Sequence, residues 1–302
     1  MQKIVPHLWF DKEASEAARF YTSLFPNSEI RRAVTLQDTP SGDAETVSFT
    51  IAGHEFMAIS AGPLFTFNPS VSFILNFDPS MMDSAEQRLR AAWDSLSNGG
   101  EVLVPLQKYP FSELFGWTKD RFGVSWQLML TDPAGEDRPF IVPLLMFVGE
   151  QCERAEEATD FYLSVFHGSR RGALVRYDEG QEPDKPGTVA FTDFMLEGLW
   201  FGAMDSAQPH EFAFNEAISL MVACDTQEEI DEYWEKLSAV PAAEQCGWLK
   251  DKYGLSWQVV PAAMTEMMET GTREQIDRVT QAFLPMKKFD ISALERAYHG
   301  TQ

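Results

Sequence analysis

The chain has 302 residues, 44% hydrophobic and 23% charged, enough apolar material for two packed domains. A formal net charge of −22 without a basic cluster argues against nucleic acid and anionic membranes as partners, and no run of about eighteen apolar residues could span a bilayer. Three cysteines, Cys152, Cys224 and Cys246, with no CxxC pair exclude a disulfide framework and a zinc ribbon. The start, "MQKIVPHLWF", shows no signal-peptide pattern and runs straight into a strand, so a cytoplasmic protein is expected.

In chain order, residues 3–10 read as an apolar strand. Residues 12–25 read as an amphipathic helix with Ala14, Ala17, Tyr21, Leu24 and Phe25 on one stripe. Strands follow near 30–37, 45–52 and 55–60. The order then restarts with a strand at 71–77, a helix at 83–97 carrying Ala85, Leu89, Ala92, Trp93 and Leu96 inward, and strands near 101–106, 114–119 and 124–130. After a turn-forming linker, "TDPAGEDRP" at 131–139, the whole pattern repeats. "IVPHLWF" at Ile4 returns as "IVPLLMF" at Ile141, "FYTSLFPNS" at Phe20 as "FYLSVFHGS" at Phe161, and "FNPSVSFILNFD" at Phe67 as "FNEAISLMVACD" at Phe214. "GWTKDRFGVSWQLM" at Gly116 returns as "GWLKDKYGLSWQVV" at Gly247, with eight of fourteen positions identical. Three segments are therefore expected: a first copy at 1–131, a second at 141–264, and a tail at 265–302 absent from the first copy. Each copy reads βαβββ-βαβββ, an α+β architecture. Thr226 with Glu229, and Thr272 with Gln275, fit helix-capping boxes. The tail reads as two helices, one with Ile276, Val279 and Phe283 inward and ended by Pro285, the other near Ile291–Tyr298, expected to cover a sheet or its edge.

In the repeated stretch, period-two alternation turns Trp126, Leu128 and Leu130 one way and Gln127 and Met129 the other. The first face suits packing against helices and the second a cleft. The cleft candidates are Gln127, Gln258, Ser72, Ser219 and Asn76, with Trp117 and Trp248 at the head of the last hairpin of each copy. Lys119–Asp120 and Lys250–Asp251 read as turn formers. Each candidate also has a plain packing role: a glutamine bonded to backbone or water, a tryptophan in the core. None of His7, His54, His167, His210 and His299 recurs in both copies, which argues against a serine triad.

A paired βαβββ pattern, duplicated, resembles the vicinal oxygen chelate superfamily of glyoxalase I, extradiol dioxygenases and bleomycin-resistance proteins, over residues 1–131 and 141–262. The motifs "P-x-L-W-F", "FY" and "GWLKDKYGLSWQ", with the tail "MKKFDISALERAY", resemble its PhnB-like branch, often labelled 3-demethylubiquinone-9 3-methyltransferase. Methyl transfer is not expected, because no Gly-rich strand-turn-helix loop is present to hold a nucleotide-like cofactor. The resemblance implies glyoxalase-like half-barrels and, in metal-using relatives, a His on the first strand and a Glu near the last strand of each module. Those positions fall at Pro6 and Pro143, Ser72 and Ser219, Ala58 and Ala203, and Gln127 and Gln258. A one-residue slip would substitute His7 and Glu55, for which the second copy has Leu144 and Trp200.

The expected function is binding of a small apolar or amphipathic molecule in a cleft, with no cofactor and no metal. Alternatives are a divalent-metal lyase, isomerase or dioxygenase whose ligands lie out of this register, and an interaction or scaffold protein. Single-copy relatives pair as dimers, so the duplication implies an intrachain pseudo-dimer, with a homodimer also open.

Overall fold

A computed structural model describes residues 2–39, 42–135 and 137–301. Met1, Pro40 and Ser41 of the first repeat, Glu136 of the linker and Gln302 of the tail lie outside them.

The first repeat forms β1 (Ile4–Phe10), α1 (Ala14–Leu24), β2 (Glu29–Thr39), β3 (Gly42–Ile51) and β4 (His54–Ser60), then β5 (Val71–Phe77), α2 (Ala85–Ser97), β6 (Glu101–Tyr109), β7 (Ser112–Lys119) and β8 (Ser125–Leu130). The second forms β9 (Ile141–Phe147), α3 (Ala155–Val165), β10 (Arg170–Arg176), β11 (Val189–Leu196), β12 (Leu199–Asp205), β13 (Ile218–Cys224), α4 (Gln227–Leu237), β14 (Trp248–Lys250) and β15 (Ser256–Pro261). Three helices follow: α5 (Ala262–Thr270), α6 (Arg273–Phe283) and α7 (Ile291–His299). The periodicity worked because each helix buries one stripe: Ala14, Ala17, Ala18 and Tyr21 in α1, and Ala85, Leu89, Ala92 and Leu96 in α2.

Two expectations change. The second repeat has no counterpart of β6: residues 238–247 run through a 3-10 turn at Pro241–Ala243, and β14 has only three residues. "SAVPAAEQCG" lacks strand alternation, and Pro241 has no N–H for a ladder. The boundary at 264/265 falls inside α5, because the chain turns helical directly after Pro261. The tail thus has three helices rather than two. The capping box on α6 is complete, with Thr272 Oγ1 accepting from Gln275 N and Gln275 Oε1 from Thr272 N. On α4, Thr226 accepts from Glu229 N as expected, while the Glu229 carboxylate accepts from Asp225 N.

The repeats are not the compact units. One unit comprises Met1–Thr66 with Phe214–Gln302, and the other Phe67–Ala213. The first unit holds a seven-stranded sheet, β14-β15-β13-β1-β4-β3-β2, and the second an eight-stranded sheet, β10-β11-β12-β9-β5-β8-β7-β6. Each sheet joins the first module of one repeat to the second module of the other. Within a module the first strand pairs in parallel with the last and leaves its other edge open. That edge is closed by an antiparallel partner from the other repeat, β1 by β13 with His7 opposite Ser219, and β9 by β5 with Leu144 opposite Ser72.

Candidate functional site

The repeated stretch is first of all a rigid turn. In the first unit the buried Asp251 carboxylate accepts from Tyr253 N at 2.8 Å, Leu255 N at 3.1 Å and Trp257 Nε1 at 2.9 Å. In the second, Asp120 accepts from Phe122 N at 2.8 Å, Val124 N at 3.0 Å and Trp126 Nε1 at 2.8 Å. Gly123 and Gly254 take φ of +93° and +85°, where a side chain would strain the turn. This clamp fixes Trp126 and Trp257 on the face that packs against α2 and α4 and, by alternation, directs Gln127 and Gln258 to the opposite face. There the two glutamines make the same bond: Gln127 Nε2 donates to Ser72 Oγ at 3.0 Å and Gln258 Nε2 to Ser219 Oγ at 2.9 Å.

Beyond that shared pair the two faces differ. In the second unit Ile74, Val142, Leu144 and Trp200 form a buried cluster, with Met129, Phe191, Met195 and Met204 packed on it. The Arg138 guanidinium lies 4.0 Å from the Trp200 ring centroid and Arg170 4.7 Å, and Arg138 Nε meets Asp193 at 2.7 Å. Asn76 donates to Pro139 O at 2.9 Å, and Trp117 Nε1 to Ser125 Oγ at 2.6 Å. Ser72, Gln127, Asn76 and Trp117 are thus held by structural bonds.

In the first unit the same face carries a cavity of about 490 Å³. Gln258 and Trp248 line it, while Ser219 is fully buried and supports the glutamine. Trp9, Phe65, Met57 and Met221 add apolar wall from the sheet and its loops, and the tail supplies Met264, Met268, Phe283 and Phe289. The tail helices therefore do more than cover an edge. They pack over Val5, Met221 and Val260 on the sheet and leave the cavity between. The uncharged polar groups are His7, Thr39, Thr46, Ser48, Gln245, Gln258 and Thr265, with Arg32, Glu216 and Glu269 as the charges. Glu216 is paired to Lys250 at 2.9 Å.

His7 is the residue that counting from the sequence motif displaced. It lines the cavity, whereas Pro6 faces the other side of β1. The slip recurs on β4, where Met57 lines the cavity and Ala58 packs in the core. Glu55 shares the face with Met57 but forms an ion pair with Arg31 at 2.9 Å. The counterparts of His7, Glu55 and Met57 in the second unit are Leu144, Trp200 and Gly202, which explains why that face fills. His7 is 5% exposed, its Nδ1 has no hydrogen-bond partner, and its ring meets Trp248 edge-on at 5.5 Å between centroids. Burial lowers its pKa from 6.5 to about 4, so the imidazole is neutral at neutral pH.

A family profile described as 3-demethylubiquinone-9 3-methyltransferase matches the chain twice, over residues 2–129 and 139–260. The chain belongs to that family. The match is duplicated, one copy in each repeat. A PhnB protein from Bacillus cereus is 36% identical over 43% of this chain and 100% of its own, with a TM-score of 0.38. Glyoxalase I from Zea mays is 11% identical and covers 89% of this chain and 98% of its own at a TM-score of 0.52. A proposed dioxygenase from Bacillus subtilis is 10% identical, covers 96% and 94%, and has a TM-score of 0.50. At these identities the last two share the fold alone. A comparison with curated protein sequences gave no match.

The sequence resemblance described above raises the question of a metal. On the cavity face of the first unit the four relevant positions carry His7, Met57, Ser219 and Gln258: one imidazole, a thioether, a hydroxyl and an amide. Among the described residues no three His, Cys, Asp or Glu side chains gather into a metal-binding group. Divalent metals held by nitrogen and oxygen ligands want imidazoles and carboxylates, and this donor set does not fit them. No helix among the described residues is long and apolar enough to cross a membrane.

Proposed function

We propose that this family member binds a small apolar or amphipathic molecule in the cavity of the first unit, without a resident metal or cofactor. The observation that carries the reading is the cavity of about 490 Å³, walled by aromatic and methionine side chains with a few polar groups. Pre-formed cavities of a few hundred Å³ with mostly apolar walls are the usual form of small-molecule sites. Methionines on both the sheet and the tail make the wall adaptable. The second unit supports the same reading by contrast, since its equivalent face is filled and serves stability. The methyltransferase label draws no support from the cavity, and neither does a metal-dependent lyase or dioxygenase, because the donor set is wrong for the metal.

Two measurements test this. A thermal-shift screen with hydrophobic small molecules should raise the melting temperature, because a ligand that binds only the folded state stabilises it by mass action. Ser48→Trp, which projects an indole into the cavity from β3, should remove that shift while the protein stays folded. Elemental analysis of purified protein should find metal well below one equivalent. Stoichiometric nickel, zinc, iron or manganese would overturn the metal-free reading, and a screen with no stabilising compound would favour a scaffold.

A further inference from the structure

We propose that the occupant of the first unit's cavity is an uncharged aromatic molecule bearing one hydroxyl, amide or keto group, and that this group hydrogen-bonds to the His7 imidazole. The proposal rests on the reading of the cavity as a binding site and names the chemistry that site would select.

Four observations converge on it. His7 is 5% exposed and lines the cavity, and among the described residues neither ring nitrogen has a hydrogen-bond partner. A buried polar group without a partner is costly, so its retention calls for a partner brought from outside. The second observation is an internal control. The equivalent residue in the second repeat is Leu144, 1% exposed, opposite Ser72 just as His7 is opposite Ser219. The fold accepts a leucine at this place, so backbone and packing do not require the imidazole.

The third observation is shape. His7 meets Trp248 edge-on at 5.5 Å, Trp248 meets Trp9 at 6.0 Å, and Trp9 meets Phe65 at 5.1 Å. A wall of successive ring edges and faces suits a flat aromatic body. The fourth is charge. A neutral imidazole offers one donor and one acceptor and can exchange them by changing tautomer, so it serves a hydroxyl, an amide or a carbonyl alike. It supplies no positive charge to offset a buried carboxylate. The cavity's cation is Arg32 on β2, on a different strand from His7, and Glu216 and Glu269 also line the cavity.

The test compares three probes of one shape at pH 7 by titration calorimetry: naphthalene, 2-naphthol and 2-naphthoate. Wild-type protein should bind 2-naphthol about tenfold more tightly than naphthalene, the effect of one net hydrogen bond, and more tightly than 2-naphthoate. His7→Leu copies the residue of the other repeat. It should bring the 2-naphthol affinity to within about twofold of the same variant's naphthalene affinity. Equal binding of naphthalene and 2-naphthol by the wild type would overturn the role of His7 and leave the cavity reading standing. Tightest binding of 2-naphthoate would move the anchor to Arg32 and overturn the proposal as well. No binding of any probe would remove both readings. Where His7→Leu is unstable, equal binding of naphthalene and 2-naphthol by the wild type still overturns the proposal.

Discussion

Removing the Asp251 carboxylate tests the claim that the repeated stretch is a clamp whose alternation aims the cavity glutamine. Asp251 is fully buried, and the donors to its carboxylate include two backbone amides of its own turn and the Trp257 indole. Asp251→Ala leaves those three donors without partners in a dry interior. Each buried orphan costs about 1–3 kcal/mol, and relief from burying a carboxylate offsets part of the sum, so a net loss of about 4 kcal/mol is expected. Asp251→Asn keeps one acceptor oxygen but turns an NH₂ toward either the indole or the two amides, so its loss should be roughly half as large. Urea unfolding followed by circular dichroism and tryptophan fluorescence measures both, with the two units fitted as separate transitions where the curves require it. The same change at Asp120 should cost a similar amount, since the corresponding three bonds match in partner type and differ in length by 0.1 Å or less. A loss under about 1 kcal/mol for Asp251→Ala would refute the clamp, and so would equal effects of Ala and Asn.

Acid should destabilise the protein through His7. Its pKa is about 4 when folded and 6.5 unfolded, so between these values the unfolded chain binds more protons and stability falls as pH drops. The full difference is on the order of 3 kcal/mol, and His7→Leu should flatten the stability profile between pH 6.5 and 4 relative to wild type. Thr272→Ala removes the α6 capping box and should cost about 1 kcal/mol. Because Phe283 on α6 lines the cavity, ligand affinity should fall with it, as calorimetry would show. Deleting residues after Pro261 should expose Val5, Met221 and Val260 together, raise binding of a hydrophobic dye and abolish specific ligand binding.

How much of this was readable in advance depended on the range of the interaction. Local patterns named the strands and helices of both repeats because a helix stripe or a strand alternation lies within a few residues. Asp120 and Asp251 were legible as turn formers for the same reason, since their partners lie within six positions. Where local pattern was absent, at 238–247, the expected strand was absent too. The helix α5 was missed because its start coincides with the end of β15, with no turn signal between. The cavity's His7 was displaced by one position, because counting from a motif fixes spacing but only the ladder fixes which face a residue takes.

By itself the sequence determined the duplication, the α+β modules, the family and the glutamines' shared setting. Only the tertiary structure decided which modules pair, because an open strand edge accepts any antiparallel partner and both repeats offer equivalent ones. That pairing sets His7 beside Ser219 and Gln258, and Leu144 beside Ser72 and Gln127. It also decides where the tail acts, over the face that holds His7. One repeated pattern thus yields a filled face in one unit and a cavity in the other, since a few contacts far apart in sequence determine whether the space on that face is filled.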